Sequence, residues 1–112
     1  MFKAHEMPFK TITGVASAAI ERYALVTVGN DGCVKPATTG EYILGVAQQS
    51  AKVGQEVPVM VHGVAYAKAS VKVVPGDKVD ASTGLVAKAS GASSIVVLVG
   101  AEANEMCSIL VK

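Results

Sequence analysis

Leu25-Val26-Thr27-Val28, then Gly29-Asn30-Asp31-Gly32, then Cys33-Val34-Lys35-Pro36-Ala37 is the stretch whose reading decides the fold. Two short apolar runs flank a cluster of Gly, Asn and Asp. Those residue types tolerate the left-handed backbone of a tight turn, and the runs are strand-sized, so the stretch predicts an antiparallel hairpin. Thr38-Thr39-Gly40 sets off a third apolar run, Tyr42 to Ala47. Further on, Val57, Val59 and Val61 alternate with Pro58, Met60 and His62, the period of a strand with one buried face. Pro58 lacks an N–H, which places this strand at an edge or puts Pro58 near its start. Val64 to Lys68, Ser70 to Val74, Val79, Leu85 to Lys88, Ile95 to Val99 and Cys107 to Val111 supply the other strands, with Pro75-Gly76-Asp77 as a tight turn. Helical signals are weak. Glu21 follows Ser17 by four residues rather than the three of a capping box, and Ala47 to Lys52 spans one turn at most.

A duplication orders these pieces. Ala16-Ser17 and Leu25-Val26 correspond to Ala69-Ser70 and Val79 at a spacing of 53, and Gly32-Cys33-Val34 to Gly84-Leu85-Val86 at a spacing of 52. Carried on at 52, the match pairs Ile43-Leu44 with Ile95-Val96, and Val57 and Val59 with Ile109 and Val111. The expected fold is all-β: a small β-sandwich or barrel built from an internal duplication, with at most short helical turns. The expected organisation is a single domain over 1–112, with an N-terminal arm or first strand at 1–13, a first repeat at 14–66 and a second at 67–112.

Composition bounds the function. Of the 112 residues, 51% are hydrophobic and 17% charged, which excludes a disordered chain. The apolar content is mostly Ala and Val, with two Phe, three Tyr and no Trp, so the core has few large anchors and subunit contacts would add useful stability. The net charge of +1, with no basic run and no interleaved aromatics, gives no support for nucleic-acid binding. No apolar stretch is long enough for a membrane helix, and Met1 to Lys10 has no signal-peptide core, so synthesis in a cytoplasm is expected. Cys33 and Cys107 are far apart, in no CxxC motif, and are expected to be small buried hydrophobes rather than a disulfide.

Residues for chemistry are scattered. His5, Cys33, His62 and Cys107 include no closely spaced ligand pair, so no metal or other cofactor is expected. Glu102, Glu105, Asp77 and Asp80 have the positions of loop and turn residues. No nucleotide-binding glycine fingerprint and no nucleophile elbow occur, and no enzymatic activity is expected. The N-terminal segment differs from the rest. It holds both phenylalanines, and Phe2, His5, Met7, Phe9 and Ile12 are the candidate contacts with a partner or another copy. Phe9 to Thr13 alternates as a strand does and could add to a sheet edge.

Taken in order, Asp31-Gly32-Cys33-Val34-Lys35-Pro36-Ala37, Ile43-Leu44-Gly45-Val46-Ala47, Val53-Gly54-Gln55-Glu56-Val57 with Val59 and Val61, Gly63-Val64, and Val74-Pro75-Gly76-Asp77-Lys78-Val79 resemble the capsid cement, or head decoration, proteins of tailed bacteriophages. The first copy departs from the pattern, with Arg22-Tyr23-Ala24 in place of Pro-Gly-Asp. The resemblance implies a structural virion protein on the outer capsid surface, made in the host cytoplasm. It implies binding to the major capsid protein, self-association as a homotrimer, and stabilisation of the shell by bridging neighbouring capsid subunits. The alternative from another class is a small β-barrel ligand-binding or carrier module. Against it, Lys35, Lys52, Lys78 and Lys88 do not sit in a recognisable attachment hairpin.

Overall fold

The computed structural model describes residues 7–89 and 95–111. Their strands are β1 (Met7–Val15), β2 (Leu25–Val28), β3 (Val34–Pro36), β4 (Gly45–Ala47), β5 (Glu56–Lys68), β6 (Val79–Ser82), β7 (Leu85–Lys88), β8 (Val96–Val99) and β9 (Met106–Val111). No helix occurs among the described residues, and every strand pairing is antiparallel, so the protein is all-β. The two weakly helical segments instead meet each other, with Ile20 and Ala51 exchanging backbone hydrogen bonds of 2.9 Å.

The spine is β5. One sheet has the order β3-β2-β4-β5-β9-β8, with β1 as a further neighbour of β5, and β6-β7 forms a separate hairpin. β4 lies along the first half of β5, β9 along the second half, and β1 runs from Glu56 to Val64. At Gly63 and Val64 both β1 and β9 pair with β5, so they occupy opposite edges. Pro58 is therefore near the start of a central strand. The Gln48 N–H donates to the Pro58 carbonyl, and the Gln48 carbonyl, which a residue with an N–H would have engaged, accepts from Arg22 Nε at 3.1 Å.

Equivalent bonds recur in the two halves of the chain. Ala16 bridges Val34 as Ala69 bridges Val86, and the Ser17 and Ser70 hydroxyls donate to those same two carbonyls. Ile20–Ala51 recurs as Val73–Ala101, and Val46–Met60 as Val96–Leu110. Ile12–Val59 and Gly14–Val57 recur as Ala65–Ile109 and Ala67–Cys107. The spacing thus steps from 53 to 52 and then to 50, not only to 52. Val57 corresponds to Cys107 and Val59 to Ile109. A slip of two residues keeps every side chain on its own face, so an alternating Val/Ile strand does not reveal it in sequence. The pairing also carries the equivalence back into β1. Sequence likeness is lost there because β1 holds Thr11 and Thr13 where β5 holds Val64 and Tyr66.

The altered turn of the first copy keeps its shape. Ala24 N–H bonds to the Glu21 carbonyl and Asp77 N–H to the Val74 carbonyl, both at 3.1 Å, with Tyr23 at φ 68° and Gly76 at φ 93°. Left-handed backbone costs an L-residue roughly 1–2 kcal/mol. Tyr23 offsets this through an edge-on contact with Tyr66 (centroids 6.0 Å apart) and the Arg22 guanidinium 4.6 Å from its ring centre.

Two cores result. The smaller contains Ala16, Ile20, Val26, Val34, Ala47, Val57 and Val59. Their counterparts Ala69, Val73, Val79, Val86, Val97, Cys107 and Ile109 all lie in the larger. Cys107 fills the place of a valine, and both cysteines are free thiols. The larger core gains its size from the junction of the copies. Leu25, Val46 and Met60 form a row across β2, β4 and β5 on the face away from the first core, and each is 0% exposed. They share a cluster with Ala81 and Val111 and with Ala65, which as the counterpart of Ile12 belongs by its pairing to the second copy. The tip of the β6-β7 hairpin closes the junction: Gly84 N–H donates to the Ala37 carbonyl and Leu25 N–H to the Gly84 carbonyl, both at 2.8 Å. A Cβ at Gly84, whose φ is +83°, would lie 3.3 Å from the Ala24 Cβ.

Candidate functional site

Among the described residues no group of three or more His, Cys, Asp or Glu side chains converges as a metal site would. His62 is exposed on β5, and Cys107 is buried, which pushes its thiol up to about 11. The Glu41 carboxyl is held below its ordinary value by the hydroxyl and backbone N–H of Thr38, at 2.7 and 2.8 Å. These bonds tie off the turn after β3. A groove of about 210 Å³ runs along the junction of the two copies, lined by Arg22, Tyr23, Pro36, Lys68, Thr83 and Leu85. Of its charged lining residues, Arg22 is already engaged by Gln48 and Tyr23.

The more informative feature is apolar. Ile12 pairs with Val59 and Val28 with Val34, so both point to the inner face at one end of the smaller core. That end is open: Ile12 is 39% and Val28 45% exposed, and Val61 beside them is half-buried. The counterparts in the second copy, Ala65, Ala81 and Val111, are at most 1% exposed, because they abut the Leu25–Val46–Met60 row. The first copy thus presents as a mouth what the second copy has closed. Val15, on the opposite face of β1, and Val53 are also exposed.

Of the candidate contacts, Phe2 and His5 lie outside the described residues. Met7 and Phe9 belong to the backbone of β1, where Phe9 is the residue skipped between the Pro8–Gly63 and Lys10–His62 pairs, a bulge. Ile12 sits at the mouth. Val28 and Val61 were not singled out from sequence, where they look like any other strand valines. Only the register shows that their repeat counterparts are covered while they are not.

Three comparisons bear on these observations. A family model described as phage cement protein matches residues 7–112. The crystal structure of the head fiber gp8.5 N base of bacteriophage phi29 superposes with a TM-score of 0.75 at 14% identity, covering 92% of this chain and 93% of that one. At that identity the likeness is one of fold. No curated protein sequence matches the chain.

Proposed function

Since the chain belongs to the phage cement protein family, a capsid-associated structural group, we propose that it binds the outer surface of an assembled phage capsid and stabilises it by bridging neighbouring subunits of the major capsid protein. Residues 1–112 act as one capsid-decoration domain, as a homotrimer. The candidate contacts Phe2, His5, Met7, Phe9 and Ile12 serve the capsid or a neighbouring copy. The observation that carries this reading is the open apolar end of the smaller core, with Ile12 and Val28 left to a partner.

The mechanism is linkage. A protein that binds the assembled lattice and not its free subunits shifts the equilibrium towards the lattice by the free energy of binding. An oligomer that touches several capsid subunits gains avidity without any new kind of contact. No bond is made or broken, so the mechanism calls for neither catalytic residue nor cofactor. Co-sedimentation with capsids lacking this protein is the test. Saturable binding to assembled particles, and a higher temperature of capsid disruption when they are loaded, are expected. Particles that neither retain the protein nor gain resistance would refute the reading.

A further inference from the structure

The repeat equivalence shows a second surface of known complementarity. In the first copy the row Leu25–Val46–Met60 receives the second copy. In the second copy the same register gives Lys78–Val96–Leu110, where Lys78 is exposed and Val96 and Leu110 are half-buried. Ala37 and Ala89 are also equivalent: the Ala37 N–H bonds to the Leu25 carbonyl and the Ala89 N–H to the Lys78 carbonyl, both at 2.9 Å. The Leu25 N–H is taken by the Gly84 hairpin tip, whereas the Lys78 N–H has no backbone acceptor among the described residues. The tip half is uncovered as well, although the Gly32 N–H is taken by the Gly29 carbonyl of its own turn at 3.0 Å. Gly32 at φ +78° matches Gly84, yet nothing lies within 4 Å of a Cβ placed on it.

We infer that copies of this chain join head to tail, the mouth of one (Ile12, Val28 and the Asp31–Gly32 tip) seated on the Lys78–Val96–Leu110 row of the next. The contact between chains repeats the apolar part of the contact between copies within the chain, as stacked repeats bury faces that none can bury alone. Charge favours this occupant. Where the inner tip has Thr83, the outer tip has Asp31, and where the inner row has Leu25, the outer row has Lys78. Lys88 adds no net charge there, since Asp77 lies 3.8 Å from it. Such a contact is heterologous, and it closes into a ring where the rotation permits. The inference rests on the self-association in the proposed function and names its surface.

Oxidative cross-linking tests it. Cys33 adjoins the tip, so an Ala89→Cys variant oxidised at high concentration is expected to form disulfide-linked dimers and larger species on a non-reducing gel. Gln49→Cys, exposed elsewhere, should not. Lys78→Glu in the Ala89→Cys background should lose the cross-link with the melting temperature unchanged, and adding Asp31→Lys should restore it. Equal yields from Ala89→Cys and Gln49→Cys, no cross-link at all, or no effect of Lys78→Glu overturns the inference. Oligomers by light scattering that lack the cross-link overturn this surface and leave self-association standing. Capsid loading without the cross-link leaves capsid binding standing and removes the head-to-tail contact.

Discussion

At the residue scale, backbone geometry makes demands that side-chain character does not announce. Gly45 in β4 has its α-carbon turned towards the Met60 carbonyl, and a Cβ there would overlap that oxygen. Gly45→Ala is expected to cost about 1–3 kcal/mol, the usual range for overpacking, read as a lower melting temperature. An unchanged melting temperature would mean that β4 and β5 are further apart than described. The β6-β7 turn has both central residues at positive φ, Thr83 at 47° and Gly84 at 83°. Thr is β-branched and poorly suited to that region, whereas Asn-Gly is the favoured pair. Thr83→Asn should therefore stabilise the protein by roughly 1 kcal/mol; a lower melting temperature would show that the Thr83 side chain makes a contact worth more than the strain. The thiols should also differ. Cys33 is half-buried and should react with a thiol reagent in the folded protein, while Cys107 should react only on unfolding. Burial raises the Cys107 value in the folded state from 9.0 to about 11, so the folded chain keeps a proton that the unfolded chain releases. That contribution is complete below the unfolded value and is lost as pH rises towards about 11. Cys107→Val should flatten this part of the alkaline decline, and an equal decline in both proteins would disprove the assignment.

At the scale of elements, β5 serves both copies and β1 serves the first. β1 has nine residues, Met7 to Val15, and eight of them pair with β5. Removing residues 1–6 leaves that strand whole. The proposed role of the N-terminal segment predicts that the shortened protein keeps its melting temperature and occupies fewer capsid sites. Full occupancy would remove Phe2 and His5 from the contacts, and a large loss of melting temperature would assign the segment to the core.

At the scale of the molecule, two cores share one spine. Val59 belongs to the smaller and Ile109 to the larger, and both pack against residues of β5 or lie on it. Unfolding either core would strip partners from the same strand, so a single cooperative transition is expected. Ile109→Ala should cost about 2–5 kcal/mol and Val59→Ala less, each shifting one denaturation midpoint with no second transition. Two separated transitions, one moved by each variant, would show that the copies fold independently.

What the sequence by itself determined is the class of fold and the plan of its repetition. Alternating valines, Gly/Asn/Asp turns and the paired Ala-Ser steps are local signals, because strand period and turn chemistry act over a few residues. The family resemblance was legible for the same reason, being carried by the order of those short pieces. Tertiary structure alone decided three things. It set the true offset of 50 in the last strands, since a two-residue slip leaves the alternation unchanged. It made Tyr23 occupy a glycine's conformation, which the ring contacts with Tyr66 and Arg22 sustain. And it chose which apolar faces meet: Leu25, Val46 and Met60 are covered while Ile12 and Val28 are not. All five are equally apolar strand residues in the sequence. Burial depends on what the second copy packs against, and that is a property of the assembled chain.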